Sequence, residues 1–321
     1  MLEDIRRVVD ADMAAVDGVI RRRLASDVVL INQISNYIIG SGGKRLRPAL
    51  VLLAGGHFGA KPEHVRELAA VIEFIHTATL LHDDVVDESS LRRGRDTANA
   101  VFGNAASVLV GDFLYSRAFQ MMVEVGSMRV MEVMAEATNI ISEGEVLQLM
   151  NVGDAETDEE SYLRVVRYKT AKLFEAATRV GAIIGGATEA EERALADCGM
   201  HLGTAFQLID DVLDYSGDAA ETGKNVGDDL AEGKPTLPLI YVMRNGDETE
   251  RAVVREAITN GDRAHMQAVI AAIQATGALE YAREAAHREA ETARAAIEGL
   301  RASPHKSALL ELALFAVERR F

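Results

Sequence analysis

Tryptophan is absent from this 321-residue chain, and aromatic residues make up only 5% of it. A core must therefore be assembled from Leu, Ile, Val, Ala and Met. That is feasible, because 48% of the residues are hydrophobic, enough apolar material for one large domain or two. Cysteine is nearly absent as well. Cys198 stands alone, so no internal disulfide can form and a reducing compartment fits. Its expected role is that of a small buried hydrophobe. Only five prolines occur, at positions 48, 62, 235, 238 and 304. The long proline-free stretches rich in Ala, Leu, Glu and Arg suit helices, since proline removes a backbone donor and clashes with the preceding turn.

Long hydrophobic runs are missing too. No segment reaches the roughly 18 uncharged apolar residues of a membrane span. The opening MLEDIRRVVDADM carries acidic residues where a secretory signal has an apolar run. Positive charge is scarce: 34 Lys and Arg against 50 Asp and Glu leave a formal charge of −16. Non-specific binding of nucleic acid needs a basic surface and is not expected. An anionic substrate remains open, but local basic clusters or bound cations must hold it. The expectation is a soluble, cytoplasmic protein.

What is present is helical periodicity. In 66–82, Leu68, Val71, Ile72, Ile75, Thr79 and Leu80 recur at spacings of three and four, on one stripe. Segments 104–124, 128–150, 160–182, 189–216, 235–245, 250–274, 277–299 and 305–319 read the same way. No run of strict alternation is bounded by turn signals, so no sheet is expected. Breakers separate the helices: SGG at 41–43, GHFGAKP at 56–62, VGDAETD at 152–158 and SGDAAETGKNVGDD at 216–229. The last is a long polar break, of the kind that is functional or disordered. With no low-complexity tail and no linker, a single all-α domain over 1–321 is expected.

An internal echo carries the chemistry. LHDDVVDES at 81–89 resembles LIDDVLDYS at 208–216. On a helix, residues i and i+4 share a face, so Asp83 points with Asp87 and Asp210 with Asp214, while Asp84 and Asp211 are offset. Each cluster ends an apolar helical stretch, unlike a solvated acidic face. Carboxylates packed this closely repel unless counter-charge is present. Hard oxygen ligands with positions left for phosphate suit Mg²⁺. One such segment could equally be an exposed acidic face; two near-copies, each followed by basic residues, favour the metal.

Those basic segments supply the other half. GGKRLRP at 42–48 places Lys44, Arg45 and Arg47 beside two glycines, which let backbone approach phosphate closely. SLRRGRDTA at 90–98 brings Arg92, Arg93 and Arg95 beyond the first cluster, and TGKNVGDDLAEGKPT at 222–236 brings Lys224 and Lys234 beyond the second. Arg45 and Arg95 read equally well as ordinary helix-end and loop charge. Together the carboxylates and cations point to binding of diphosphate with metal.

In order, GGKRLRP, HTATLLHDDVVDESSLRRG, YKTAKLFE, GTAFQLIDDVLDY and GKNVGDDLAEGKPTLPL resemble the trans-polyprenyl diphosphate synthases over about 40–240. The likeness is greatest to the octaprenyl and decaprenyl synthases, and EGEVLQLMNVGD at 143–154 is similar to that subgroup. The resemblance implies an isoprenoid-synthase-type helical bundle around a deep central cavity, usually a homodimer. It implies Asp83, Asp87 and Asp210 as direct ligands of three Mg²⁺ ions, with Asp84, Asp211 and Asp214 supporting. Arg92, Lys169, Gln207, Lys224 and Lys234, with Thr170 nearby, resemble the groups that hold the allylic diphosphate. Lys44, Arg47, His76 and Arg93 resemble the isopentenyl diphosphate site. From the residues alone, His76 reads as a core histidine; the resemblance reverses that reading, and His82 stays structural.

The implied reaction is head-to-tail condensation. Diphosphate departs from a farnesyl or geranyl primer, and the double bond of isopentenyl diphosphate attacks the allylic cation. Closure of the 216–229 loop would exclude water. The small side chains of Ala78 and Thr79, about one turn before Asp83, should leave a product tunnel open, with Ile75, Met121 and Met122 as floor candidates, although the two methionines read better as core packing. Terpene cyclases lack a GGKRLRP segment, and regulatory subunits usually lose one aspartate cluster, so both rival readings fit less well.

Overall fold

The computed structural model describes residues 2–40, 42–92, 94–216, 227–261 and 263–318. Its contacts divide the chain into two compact units, 1–136 with 173–199 and 296–312, and 137–172 with 200–295 and 313–321. The all-α expectation is borne out.

The first unit contains α1 (Leu2–Leu24), α2 (Val29–Ile39), α3 (Leu46–His57), α4 (Pro62–Val86), α5 (Ala98–Phe102) and α6 (Asn104–Val125). It also takes the start of α7 (Met128–Asn151), nearly all of α9 (Lys172–Ile184) and the start of α10 (Glu189–Ser216). Pro62 opens α4 at a position where no intrahelical donor is lost. α4 packs on α6, α3 and α1. The single stripe expected from its sequence is too narrow. Ala69, Ala70, Phe74 and Ala78 are buried beside Leu68, Val71, Ile72 and Ile75, while Thr79 and Leu80 stay half-exposed. A helix covered by three neighbours buries most of its girth. α9 meets α3 so closely that a Cβ on Gly181 would stand 2.6 Å from the Val51 carbonyl oxygen.

The second unit holds the rest of α7 and α10, α8 (Glu159–Val165), and a π-helical stretch, Val166–Ala171, leading into α9. α11 (Asp228–Ala231), α12 (Leu237–Asn245), α13 (Glu248–Asn260), α14 (Met266–Thr276) and α15 (Ala278–Ala296) follow, and α16 (Pro304–Glu318) ends in this unit. Helices α12, α13 and α14 pack on one another around Leu239, Val254, Ile258 and Ile273. Two expectations are corrected here. Segment 250–274 is not one helix, because Gly261 adopts φ 58° and closes α13 before α14 begins. In the first unit a small hairpin does form, β1 (Leu91–Arg92) against β2 (Arg95–Asp96), its strands too short for any alternation to be read. Among the described residues, no helix is long and apolar enough to cross a membrane.

Candidate active site

The first aspartate cluster ends α4. Asp84 is wholly buried, and the Arg92 guanidinium donates to its Oδ1 from Nε at 2.7 Å and Nη2 at 2.6 Å. Asp84 Oδ2 is buried with no hydrogen-bond partner among the described residues. Burial pulls the Arg92 pKa down, but the hydrogen bond and charge of Asp84, with Asp83 and Asp87, more than offset it and raise it. Asp83 and Asp87 are half-exposed. The helix is stopped by a Schellman turn: Ser89 N–H donates to the Asp84 carbonyl at 3.0 Å and Glu88 N–H to that of Val85 at 3.4 Å. Glu88 takes the left-handed conformation that usually falls to glycine, φ 50°. Ser89 and Ser90 lead straight into β1, where Arg92 meets Asp84, and Asn99 Nδ2 ties the segment down by donating to the carbonyls of Asp84 (3.0 Å) and Ser89 (3.3 Å).

Two of the basic residues expected at the isopentenyl site meet in the same unit. Arg47 Nη1 lies 3.2 Å from His76 Nε2, and its guanidinium carbon stands 4.5 Å over the Phe174 ring. Arginine has no acceptor, so His76 accepts through Nε2 and carries its proton on Nδ1. Lys44 is half-buried beside them in sequence. Arg45 instead bonds Glu73 and approaches Asp17 within 4.0 Å, a bracing role. His82 contacts the Val108 carbonyl at 3.1 Å and Asp112 at 3.4 Å, on α6. Ala78, Ile75, Met121 and Met122 are fully buried, and the Thr79 hydroxyl donates to the His76 carbonyl at 2.8 Å. Arg93, Lys224 and most of loop 216–229 lie outside the described residues.

The second cluster, on α10 in the other unit, is built differently. Asp211 is 2% exposed, and both its oxygens accept from neutral donors. The Tyr162 hydroxyl donates to Oδ2 at 2.5 Å, and Gln207 Nε2 to Oδ1 at 2.8 Å. Thr170 Oγ1 in turn donates to Gln207 Oε1 at 3.0 Å. Burial pushes the Asp211 carboxyl up to about 8, and the charges of Asp229 and Asp210 add to this against the two hydrogen bonds. Asp214 accepts from the backbone N–H groups of Asp228 (3.2 Å) and Asp229 (3.3 Å). Asp210 is half-exposed. Lys234 pairs with Glu232 at 2.5 Å.

Lys169 and Thr170 sit on the π-helical stretch. Such stretches widen a helix by one residue per turn and concentrate at functional sites. The stretch presses against α7, where a Cβ on Gly144 would stand 2.7 Å from the Lys169 nitrogen. Lys169 Nζ is held by Glu145 Oε2 at 2.6 Å and Gln148 Oε1 at 2.7 Å. Sequence reasoning gave no role to Tyr162, Glu145, Gln148 or Asn99. For Glu145 and Gln148 a signal existed, the EGEVLQL segment; for Tyr162 and Asn99 there was none.

These donor sets suit a hard divalent cation. The oxygens are carboxylate, one Asp84 oxygen is orphaned, and Asp211 lies where negative charge is already in excess. Among the described residues, no three His, Cys, Asp or Glu side chains converge into a cage. Mg²⁺ tolerates that, since it keeps waters and takes one or two carboxylates plus substrate phosphate.

A family model described as polyprenyl synthetase matches residues 28–276. The octaprenyl diphosphate synthase of Escherichia coli (strain K12) is 54% identical over 319 residues, covering 99% of each chain. The crystal structure of a decaprenyl diphosphate synthase from Rhodobacter capsulatus superposes with TM-score 0.94 at 47% identity, covering 100% of both chains. That of a polyprenyl synthase from Caulobacter crescentus CB15, complexed with calcium and isoprenyl diphosphate, superposes with TM-score 0.96 at 45% identity, covering 100% of this chain and 98% of the other. The chain belongs to the polyprenyl synthetase family. It is a prenyltransferase of the long-chain, all-trans polyprenyl diphosphate synthase kind. The family depends on magnesium in general and joins isopentenyl diphosphate to allylic diphosphates.

Proposed function

We propose that this chain extends a farnesyl or geranyl diphosphate by successive additions of isopentenyl diphosphate, to an octaprenyl or decaprenyl product for quinone side chains. One observation carries the site assignment. In both clusters the middle aspartate is buried and engaged by protein donors, Asp84 through one oxygen and Asp211 through both, while Asp83, Asp87 and Asp210 stay half-exposed. That supports Asp83, Asp87 and Asp210 as the direct ligands of three Mg²⁺ ions, the family pattern, with Asp84, Asp211 and Asp214 supporting. Bound there, magnesium would supply charge neutralisation for the departing diphosphate.

The rest falls to the chain's own groups. Arg92, Lys169, Lys224 and Lys234, with Thr170 and Gln207, hold the allylic diphosphate and stabilise the charge it gains on leaving. Lys44, Arg47, His76 and Arg93 hold isopentenyl diphosphate; the Arg47–His76 pair supports that grouping. Ala78 and Thr79 leave room for the growing chain. A single synthase domain over 1–321, a homodimer and a cytoplasmic location complete the proposal. Leu109 and Val123, on one face of α6 and 66% and 65% exposed, support the dimer.

The test is product analysis with Mg²⁺, farnesyl diphosphate and labelled isopentenyl diphosphate. A ladder ending at about eight to ten isoprene units is expected, and Ala78→Phe should stop it at about three or four while condensation continues. No incorporation by the wild-type chain would sink the proposal; unchanged length in Ala78→Phe would sink the tunnel assignment.

A further inference from the structure

We infer that Tyr162 is a positioning residue that fixes the second aspartate cluster for cation binding. The inference rests on the function proposed above.

The ring of Tyr162 is 6% exposed and belongs to a buried apolar cluster with Val166, Leu208, Ile209 and Val212. Leu208, Ile209 and Val212 alternate along α10 with the residues of the aspartate motif. The ring is therefore held by packing, and its hydroxyl has a fixed reach. That hydroxyl ends 2.5 Å from Asp211 Oδ2, within the range of a hydroxyl–carboxylate hydrogen bond. Thr170 grips the same helix one turn earlier, through Gln207. Tyr162 on α8 and Thr170 on the π-helical stretch that continues it hold α10 at two points.

Two grips a turn apart fix the rotation of a helix about its axis. Asp210 and Asp214 flank Asp211 on that helix, so their directions are set with it. A residue that orients a ligand set in this way acts on metal affinity, and loss of such outer contacts typically weakens binding by about 10- to 100-fold. Plain core packing predicts only a loss of stability.

Tyr162→Phe separates these roles, because it keeps the ring and removes the hydroxyl. Tyr281→Phe is the control. It removes a hydroxyl that donates to Glu159 at 2.8 and 3.0 Å, a tyrosine–carboxylate pair in the same unit but off the motif. Two quantities are read: the Mg²⁺ concentration for half-maximal turnover, and the Mg²⁺-induced rise in melting temperature without substrate. Tyr162→Phe should raise the first about tenfold and shrink the second, while Tyr281→Phe matches wild type in both. In an Asp211→Asn background, Tyr162→Phe should have no further effect on the melting rise. An unchanged Mg²⁺ response, an equal change in Tyr281→Phe, an additive effect in the Asp211→Asn background, or a Tyr162→Phe chain that does not fold would each overturn the inference. Wild-type protein that makes no product with Mg²⁺ would overturn the proposed function instead.

Discussion

At the end of α4 the middle aspartate, Asp84, is matched by a cation; at the end of α10 its counterpart, Asp211, is matched among the described residues only by neutral donors. Burial is nearly the same, 0% against 2%. Beside the Arg92 guanidinium, a buried carboxylate has its charge compensated within its own unit. A tyrosine hydroxyl and a glutamine amide satisfy hydrogen bonds but leave the charge, so burial and neighbouring Asp229 and Asp210 push the Asp211 carboxyl up to about 8. Two near-identical segments thus pose the same problem and solve it in different ways. The basic residue beyond the second cluster, Lys234, pairs with Glu232.

The largest test of this comparison is catalytic. Asp83→Asn and Asp210→Asn should each lower kcat by about 10²- to 10³-fold, the scale of losing one electrostatic group at the reacting centre. A steady-state condensation assay measures both, and a loss in only one variant would break the equivalence of the outer aspartates.

The middle aspartates should separate in stability. Arg92→Leu strands a wholly buried carboxylate and should cost about 3–5 kcal/mol. Gln207→Leu removes one of two neutral donors from Asp211 and should cost about 1–3 kcal/mol. Urea melts in the presence of a chelator give both numbers; equal losses would mean that the cation at the first cluster contributes nothing special.

The smallest effect lies in how the first helix stops. Glu88→Gly relieves a left-handed non-glycine residue and should stabilise by about 1 kcal/mol. A neutral or negative result would show that the Glu88 side chain makes a contact worth as much as the strain.

Much of the molecule was legible without coordinates. The break at 152–158 falls between helices as expected, and that at 56–62 does so but for Gly56 and His57, which end α3, and Pro62, which opens α4, because glycine, proline and clustered polar residues act locally. Helix α13 was misjudged at Gly261, since an isolated glycine inside an apolar period does not announce its φ. The π-helical stretch was also invisible. A one-residue widening changes which side chains face a neighbour without changing composition, and the tight approach at Gly144 favours it only once α7 is in place.

By itself, then, the sequence determined the helical class, the two aspartate clusters, the basic residues around them and the family, because those follow from residue type and spacing along one element. The tertiary structure alone decided which aspartates are buried and what meets them. Arg92 reaches Asp84 across the turn that stops α4, and Tyr162 reaches Asp211 from 49 positions away. Burial and partnership are set by chain segments that no local pattern brings together. They, rather than the motif, determine how much of each cluster's charge the protein itself compensates.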